Sequence, residues 1–339
     1  MKIFILFISL IQLNSQVNSK LTNEKRQELL NKLTRKVTIE NLEDFQNIEN
    51  NDFTSDSFQD TIEYDPARIH KIMHTYAFPE SYNFFEETNA TIHIKNQKSC
   101  GCCWSHAATS ALAYRYHLKG IDINLSPQDG LSCYLKDCKV GNYLIDSQLN
   151  LIKNGTLTEE CFPFSSGKGY IEKCPTSCKD GSEFKRYYAK NAYLTEGYYS
   201  ESTFYDIVLI IMNELIENGP VVSGISTYQD FSDWHKDQKK CHDDVYSYDG
   251  KSSLLGNHAV VIVGYGFLNN KYYWLIQNSW GDSCDHGFVK IEFGQIGVEK
   301  VAFSEPYIRD EDAIPLSIPV KMDSFNNYLF YESFNHICF

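Results

Sequence analysis

Asn96-Gln97-Lys98-Ser99-Cys100-Gly101-Cys102-Cys103-Trp104 is the stretch on which the reading of this chain turns. Three cysteines fall within four positions, directly before a run with helical character over 103–119. That run carries the good helix formers Ala107, Ala108, Ala111, Leu112 and Ala113. A thiol at the first turn of a helix meets the dipole and the free N–H groups there, and both favour the thiolate. Cys100 and Cys103 also make a C-x-x-C, which alone would fit a redox dithiol. A redox site of that kind should follow a β-strand in a small α/β unit, and a motif without its context is weak. The histidines lack paired ligand spacing near the cysteines, so no metal and no cofactor is expected.

Working outward, the cysteines divide the 339 residues unevenly. All eleven lie at or after Cys100, and an odd number leaves at least one sulfur over. Met1 and Lys2 followed by an apolar stretch from Ile3 to Leu13 read as a secretory signal peptide over 1–19. The stretch is too short to span a bilayer and no later segment is long enough, so no membrane span is expected. A secreted chain with many cysteines implies disulfides. From 20 to 76 the sequence is charged, Asn-rich and cysteine-free, and reads as a propeptide, with Leu29, Leu30 and Leu33 on one side of a helix. The net charge of −13 argues against a nucleic-acid partner.

The main body, 77–306, changes texture midway. Ser126-Pro127 reads as an N-cap with a first-turn proline, and 144–153 as a helix closed by Asn154-Gly155. After a helix at about 203–217 come the β-rich runs 258–267, 272–280 and 287–293, punctuated by glycine. Helices first and strands second predict an α+β protein of two lobes, with a cleft between them as the place for a site. Residues 307–339 form a C-terminal extension containing Cys338.

The opening stretch resembles the active-site run of the papain family, C-G-[SA]-C-[WY], with Cys102 in the third place and Gln97 upstream. Asn257-His258-Ala259-Val260, running into Gly264-Tyr265-Gly266, is similar to that family's His strand. Gln277-Asn278-Ser279-Trp280-Gly281 is similar to its Asn segment. Cys103 and His258 stand 155 residues apart, close to the family's roughly 130–150. The resemblance covers about 78–306. It implies a papain-like fold with a helical left lobe and a β-barrel-like right lobe. It implies a cysteine endopeptidase in which Cys103 is the nucleophile, His258 its base, Asn278 the residue orienting the imidazole, and Gln97 an oxyanion donor. Trp280 would cover the His258–Asn278 bond.

The same resemblance implies three disulfides, Cys100 with Cys138, Cys133 with Cys174, and Cys161 with Cys178; Cys241 and Cys284 are left as a fourth pair in the β half. Cys102, Cys103 and Cys338 remain. Gly141 matches the glycine that binds the extended substrate backbone. Gly224, Gly256, Ala259 and Val301 would line an apolar pocket for the second residue before the cut, and such pockets discriminate weakly. Glu160-Cys161-Phe162-Pro163-Phe164 is similar to a cathepsin B segment. Only twelve residues separate Cys161 from Cys174 and none is His, so the occluding loop of cathepsin B is expected to be missing and the cleft open. His106 is expected to be a packed helix residue. Asn89, Asn124 and Asn154 begin glycosylation sequons. Expected partners are peptide and protein substrates and the chain's own propeptide as inhibitor, with a monomer in the secretory pathway, in a lysosome or vacuole, or outside the cell. The rival readings are a catalytically silent relative that binds or stores, and the C-x-x-C oxidoreductase. Exopeptidase action is a third.

Overall fold

The computed structural model describes residues 21–38, 61–195 and 201–307. The expected signal peptide, residues 39–60 of the expected propeptide and the extension beyond Tyr307 lie outside the described residues.

The chain begins with helix α1 (Asn23–Leu33) and strand β1 (Thr34–Val37). Thr22 caps α1 by accepting from the Lys25 N–H, and Leu29, Leu30 and Leu33 are buried, as their spacing predicts. Helix α2 (Pro66–Tyr76) is capped by Asp65 and ends at Ala77 in the left-handed conformation. Strand β2 (Tyr82–Asn83) leads toward the active-site run.

Helix α3 (Cys103–His117) is buried from Cys103 to Tyr116. Its small residues let the chain pack closely on all sides, which is why no polar stripe separates one face from another. Polar groups along α3 find partners in the sheet behind it. The Tyr114 hydroxyl donates to Gln277 Oε1 at 2.8 Å, and the Tyr116 hydroxyl lies 2.7 Å from the carbonyls of Tyr188 and Tyr307. Arg115, also buried, donates to the carbonyls of Pro220, Gly219 and Ser304 and to Glu214.

On one side of α3 lies the helical lobe. Ser126 caps a single turn, Pro127–Gly130, that passes into a wider turn at Leu131–Leu135. Helix α4 (Leu144–Lys153) packs next to α3. Disulfides join Cys100 to Cys138, Cys133 to Cys174, and Cys161 to Cys178, all in this lobe.

On the other side come β3 (Tyr188–Thr195), α5 (Glu201–Glu217), β4 (Val221–Tyr228), α6 (Gln229–His235), β5 (Leu254–Leu268), β6 (Lys271–Gln277), β7 (Phe288–Glu292) and β8 (Lys300–Tyr307). The strands form one antiparallel sheet in the order β1-β3-β8-β4-β5-β6-β7, with β2 added on β5. Cys241 and Cys284 are joined here. Among the described residues the sheet is open, where a barrel-like closure was expected. Its two ends are covered separately: β1 lies on β3, and Tyr246 bonds the outer edge of β7 through Lys290 and Glu292.

Of the expected propeptide, residues 21–38 pack on the sheet side of the molecule. Helix α1 packs on α5, with Arg26 Nε 2.7 Å from Glu214 Oε1 and Lys32 2.8 Å from Asp206. Strand β1 extends the sheet edge, with three strands between it and β5, which carries His258. The cause is the apolar side of α1, which needs a large apolar partner surface, and α5 supplies one.

Candidate active site

Three segments meet at the N-terminal end of α3. The first is the loop 96–102. Gln97 is fully buried; its N–H donates to the Ser279 carbonyl at 2.9 Å, and its Oε1 accepts from the Ser279 hydroxyl at 2.6 Å. One N–H of its amide is used on the Cys100 carbonyl at 3.1 Å. Gly101 donates to the Cys138 carbonyl at 2.7 Å, and a Cβ there would stand 2.8 Å from that oxygen, so the position next to the Cys100–Cys138 bond requires glycine.

The second segment is β5. His258 is 3% exposed, and its Nε2 lies 2.8 Å from Asn278 Oδ1. Its Nδ1 is buried and has no hydrogen-bond partner among the described residues. The third segment follows β6. The strand stops at Gln277, earlier than the run 272–280 predicts, because the Asn278 N–H turns to the Gly287 carbonyl at 2.9 Å. Trp280 stacks on the His258 ring, 4.7 Å between centroids at 23°, and so lies over the His258–Asn278 bond. Ala107 of α3 and Ala259 of β5 line one small internal cavity together with Asn278 and Ser279. Cys103 opens α3 one helical turn before Ala107, and His258 precedes Ala259 in β5.

Cys103 is buried and disulfide-bonded. This corrects the expectation of an unpaired thiol. A sulfur at a helix N-terminus is the one most readily ionised and therefore the one most open to exchange. In this oxidised form burial, which outweighs the bond from Asn278, pushes the His258 imidazole down to about 4. Cys100 is committed to Cys138, so Cys100 and Cys103 do not form a dithiol pair.

Cys102 is buried and free, and burial pushes its thiol up to about 12. Its Sγ lies 3.5 Å from His106 Nδ1, which also sits 3.1 Å from the Cys102 carbonyl. The His106 ring packs edge-on against Phe164 at 4.6 Å, and burial lowers it to about 3.

The expected specificity residues separate by strand register. Gly224 pairs with both Ala259 and Lys300, so these share a face of the sheet, together with Asn257 opposite Ser226. A Cβ on Gly224 would stand 3.2 Å from Leu144 of α4, so this face looks toward the helical lobe. Gly256 pairs with Thr227, and Val301 with Ser223, on the other face. Gly141 is half-buried in the loop before α4. Ser279 and His235 also belong to this site: the Ser279 hydroxyl on Gln97 was legible only as part of the Asn278-Ser279-Trp280 run, and His235 carried no signal.

The family model described as papain family cysteine protease matches residues 78–305. The chain belongs to the papain family. It is a cysteine protease with cathepsin B-like relatives. Cathepsin B-like CP3 of Giardia intestinalis is 32% identical over 221 residues, covering 63% of this chain and 69% of that protein. Cathepsin B-like CP2 of the same organism is 30% identical over 236 residues, covering 67% and 73%. Among solved structures, proCathepsin B S9 from Trypanosoma congolense aligns with a TM-score of 0.57 at 23% identity, over 73% of the protease and 82% of that chain. Bromelain from Ananas comosus aligns at 0.50 and 22% identity, over 68% and 100%. At these identities the two structures speak for the fold. No helix among the described residues is long and apolar enough to cross a membrane.

Proposed function

We propose that the protease is an endopeptidase working through Cys103, His258 and Asn278 once Cys103 is reduced. The observation that carries this reading is the His258 ring, held by Asn278 Oδ1 at Nε2 while its buried Nδ1 has no hydrogen-bond partner among the described residues. Reduction frees the Cys103 thiol, whose proton passes to Nδ1 to give the thiolate–imidazolium pair. The thiolate adds to the scissile carbonyl. The oxyanion takes the Cys103 N–H and the second amide N–H of Gln97. His258 returns the proton to the leaving amine, and water then releases the acyl group while His258 acts as base.

The wall made by Gly224 and Ala259, opposite Leu144, supports a preference for an apolar residue two before the cut. The short span 162–173 without histidine supports an open cleft and internal cleavage. Residues 21–38 dock on α5 and β3, and the chain's own propeptide, 20–76, remains the proposed inhibitor. Cathepsin B-like relatives support a place in the secretory pathway, with lysosome, vacuole or cell exterior as destinations.

The test is turnover of a fluorogenic Phe-Arg peptide, and of end-blocked peptides, with and without a thiol reductant. Reductant-dependent cleavage that falls by at least about a thousandfold in Cys103→Ala is expected. Turnover retained in Cys103→Ala overturns the mechanism. A peptide library in which acidic residues win at the second position would replace the apolar preference and point to Lys300.

A further inference from the structure

Asn278 is held from two sides. Its Oδ1 accepts from the Ser279 N–H at 2.8 Å and lies 2.8 Å from His258 Nε2. Its Nδ2 lies 3.3 Å from Nε2 of His235, the last residue of α6. The His235 ring packs edge-on against Trp280, with centroids 4.6 Å apart at 77°, and is 6% exposed. Two histidine rings and Asn278 are thus grouped around one indole.

An amide nitrogen only donates, so this contact needs a lone pair at His235 Nε2 and the ring proton at Nδ1. Burial alone holds the His235 ring down at about 4, so it is neutral in mild acid and able to accept. The other rings against it are Phe231, at 6.1 Å, and Trp280; neither is charged. We propose that His235 is a positioning residue for catalysis, locking the Asn278 amide so that its Oδ1 faces His258. The inference rests on the catalytic reading of Cys103, His258 and Asn278 given above. In the ion pair His258 Nε2 carries a proton and requires an acceptor. An amide turned about would set N–H against N–H and oppose the imidazolium, and with it the thiolate. The Ser279 N–H favours the same orientation, and His235 adds the restraint at the opposite end of the amide.

The test compares the reduced full-length protein with His235→Leu and His235→Gln. kcat and KM are read separately, together with the pH dependence of Cys103 alkylation by iodoacetamide and the melting temperature. In His235→Leu, kcat should fall about tenfold or more with KM within about twofold, and alkylation should shift to higher pH. His235→Gln, whose side-chain oxygen accepts the same bond, should recover most of both. Wild-type kcat and an unchanged alkylation profile in His235→Leu, with turnover still lost in Cys103→Ala, would sink the inference alone. Equal losses in both His235 variants that track the melting temperature would also overturn it, assigning the ring to packing. Turnover that survives Cys103→Ala would remove the catalytic reading and this inference with it.

Discussion

Individual residues in this protease are set by burial more than by neighbouring charge. Cys102, His106, His235 and His258 are all shifted away from their charged forms, and desolvation is the first cause in each. The carboxyl of Glu299 is the clearest case with a consequence for stability. It is 3% exposed, its Oε1 accepts from Trp274 Nε1 and the Gly294 N–H at 2.8 Å each, and burial raises it to about 7. The folded protein then keeps a proton that the unfolded chain loses above about 4.5. Stability from this group is complete below that pH and is lost as pH rises through about 7. Glu299→Gln keeps both accepted bonds and cannot ionise. Its melting temperature should match wild type near pH 4.5 and exceed it near pH 7.5, by on the order of 3 kcal/mol in stability. Equal behaviour at both pH values would mean that the carboxyl is not held neutral. Neither this shift nor the role of His235 was legible in the sequence, because both depend on what surrounds a side chain and not on its type.

Among the elements, α1 and α3 were readable in advance for different reasons. Helix α1 has the leucine spacing of an amphipathic helix, and α3 the alanine content of a good helix former. What α1 packs on was not readable. It lies on α5, where buried Glu214 holds Arg115 of the central helix at 3.2 Å and Arg26 of α1 at 2.7 Å. A buried carboxylate with two guanidinium partners ties the N-terminal segment to the rear of the catalytic helix. Leu30, 1% exposed, contributes to the same core. Leu30→Ala should lower the stability of the full-length protein by about 2–4 kcal/mol in denaturant unfolding. It should leave kcat on a peptide substrate unchanged, because α1 is remote from β5. A loss of kcat without a loss of stability would show that the segment acts on the cleft. Strand register was not readable either: Gly224 pairs with Ala259, while Gly256 pairs with Thr227 and Val301 with Ser223.

Across the whole molecule the two lobes are stabilised by different means. The large apolar cluster runs from α3 through the sheet to α1 and α5. That cluster takes in Ile145, Leu149, Leu151 and Ile152 of α4, while the loops of the helical lobe add two small clusters, one of Leu157, Cys161, Phe162 and Cys178, another of Cys100, Cys102 and Leu131. Half-cystines are therefore part of its core, and cross-links take over where buried area is short. Replacing Cys161 and Cys178 together by Ser opens a loop of 17 residues and should cost about 3 kcal/mol, read as a lower unfolding midpoint. An unchanged midpoint would mean that Phe162 and Leu157 hold the loop without the bond. The sequence alone determined the α+β order, the helix at Cys103 and the chemistry-bearing residues, because helix propensity, strand alternation and residue type act locally. Even the disulfide partners of the helical lobe came from the family resemblance, since spacing leaves many connectivities open. Tertiary structure decided that 21–38 extends the sheet edge and that His235 stands behind Asn278. Each of these is a meeting between segments far apart in the chain, and long-range packing is what no local pattern encodes.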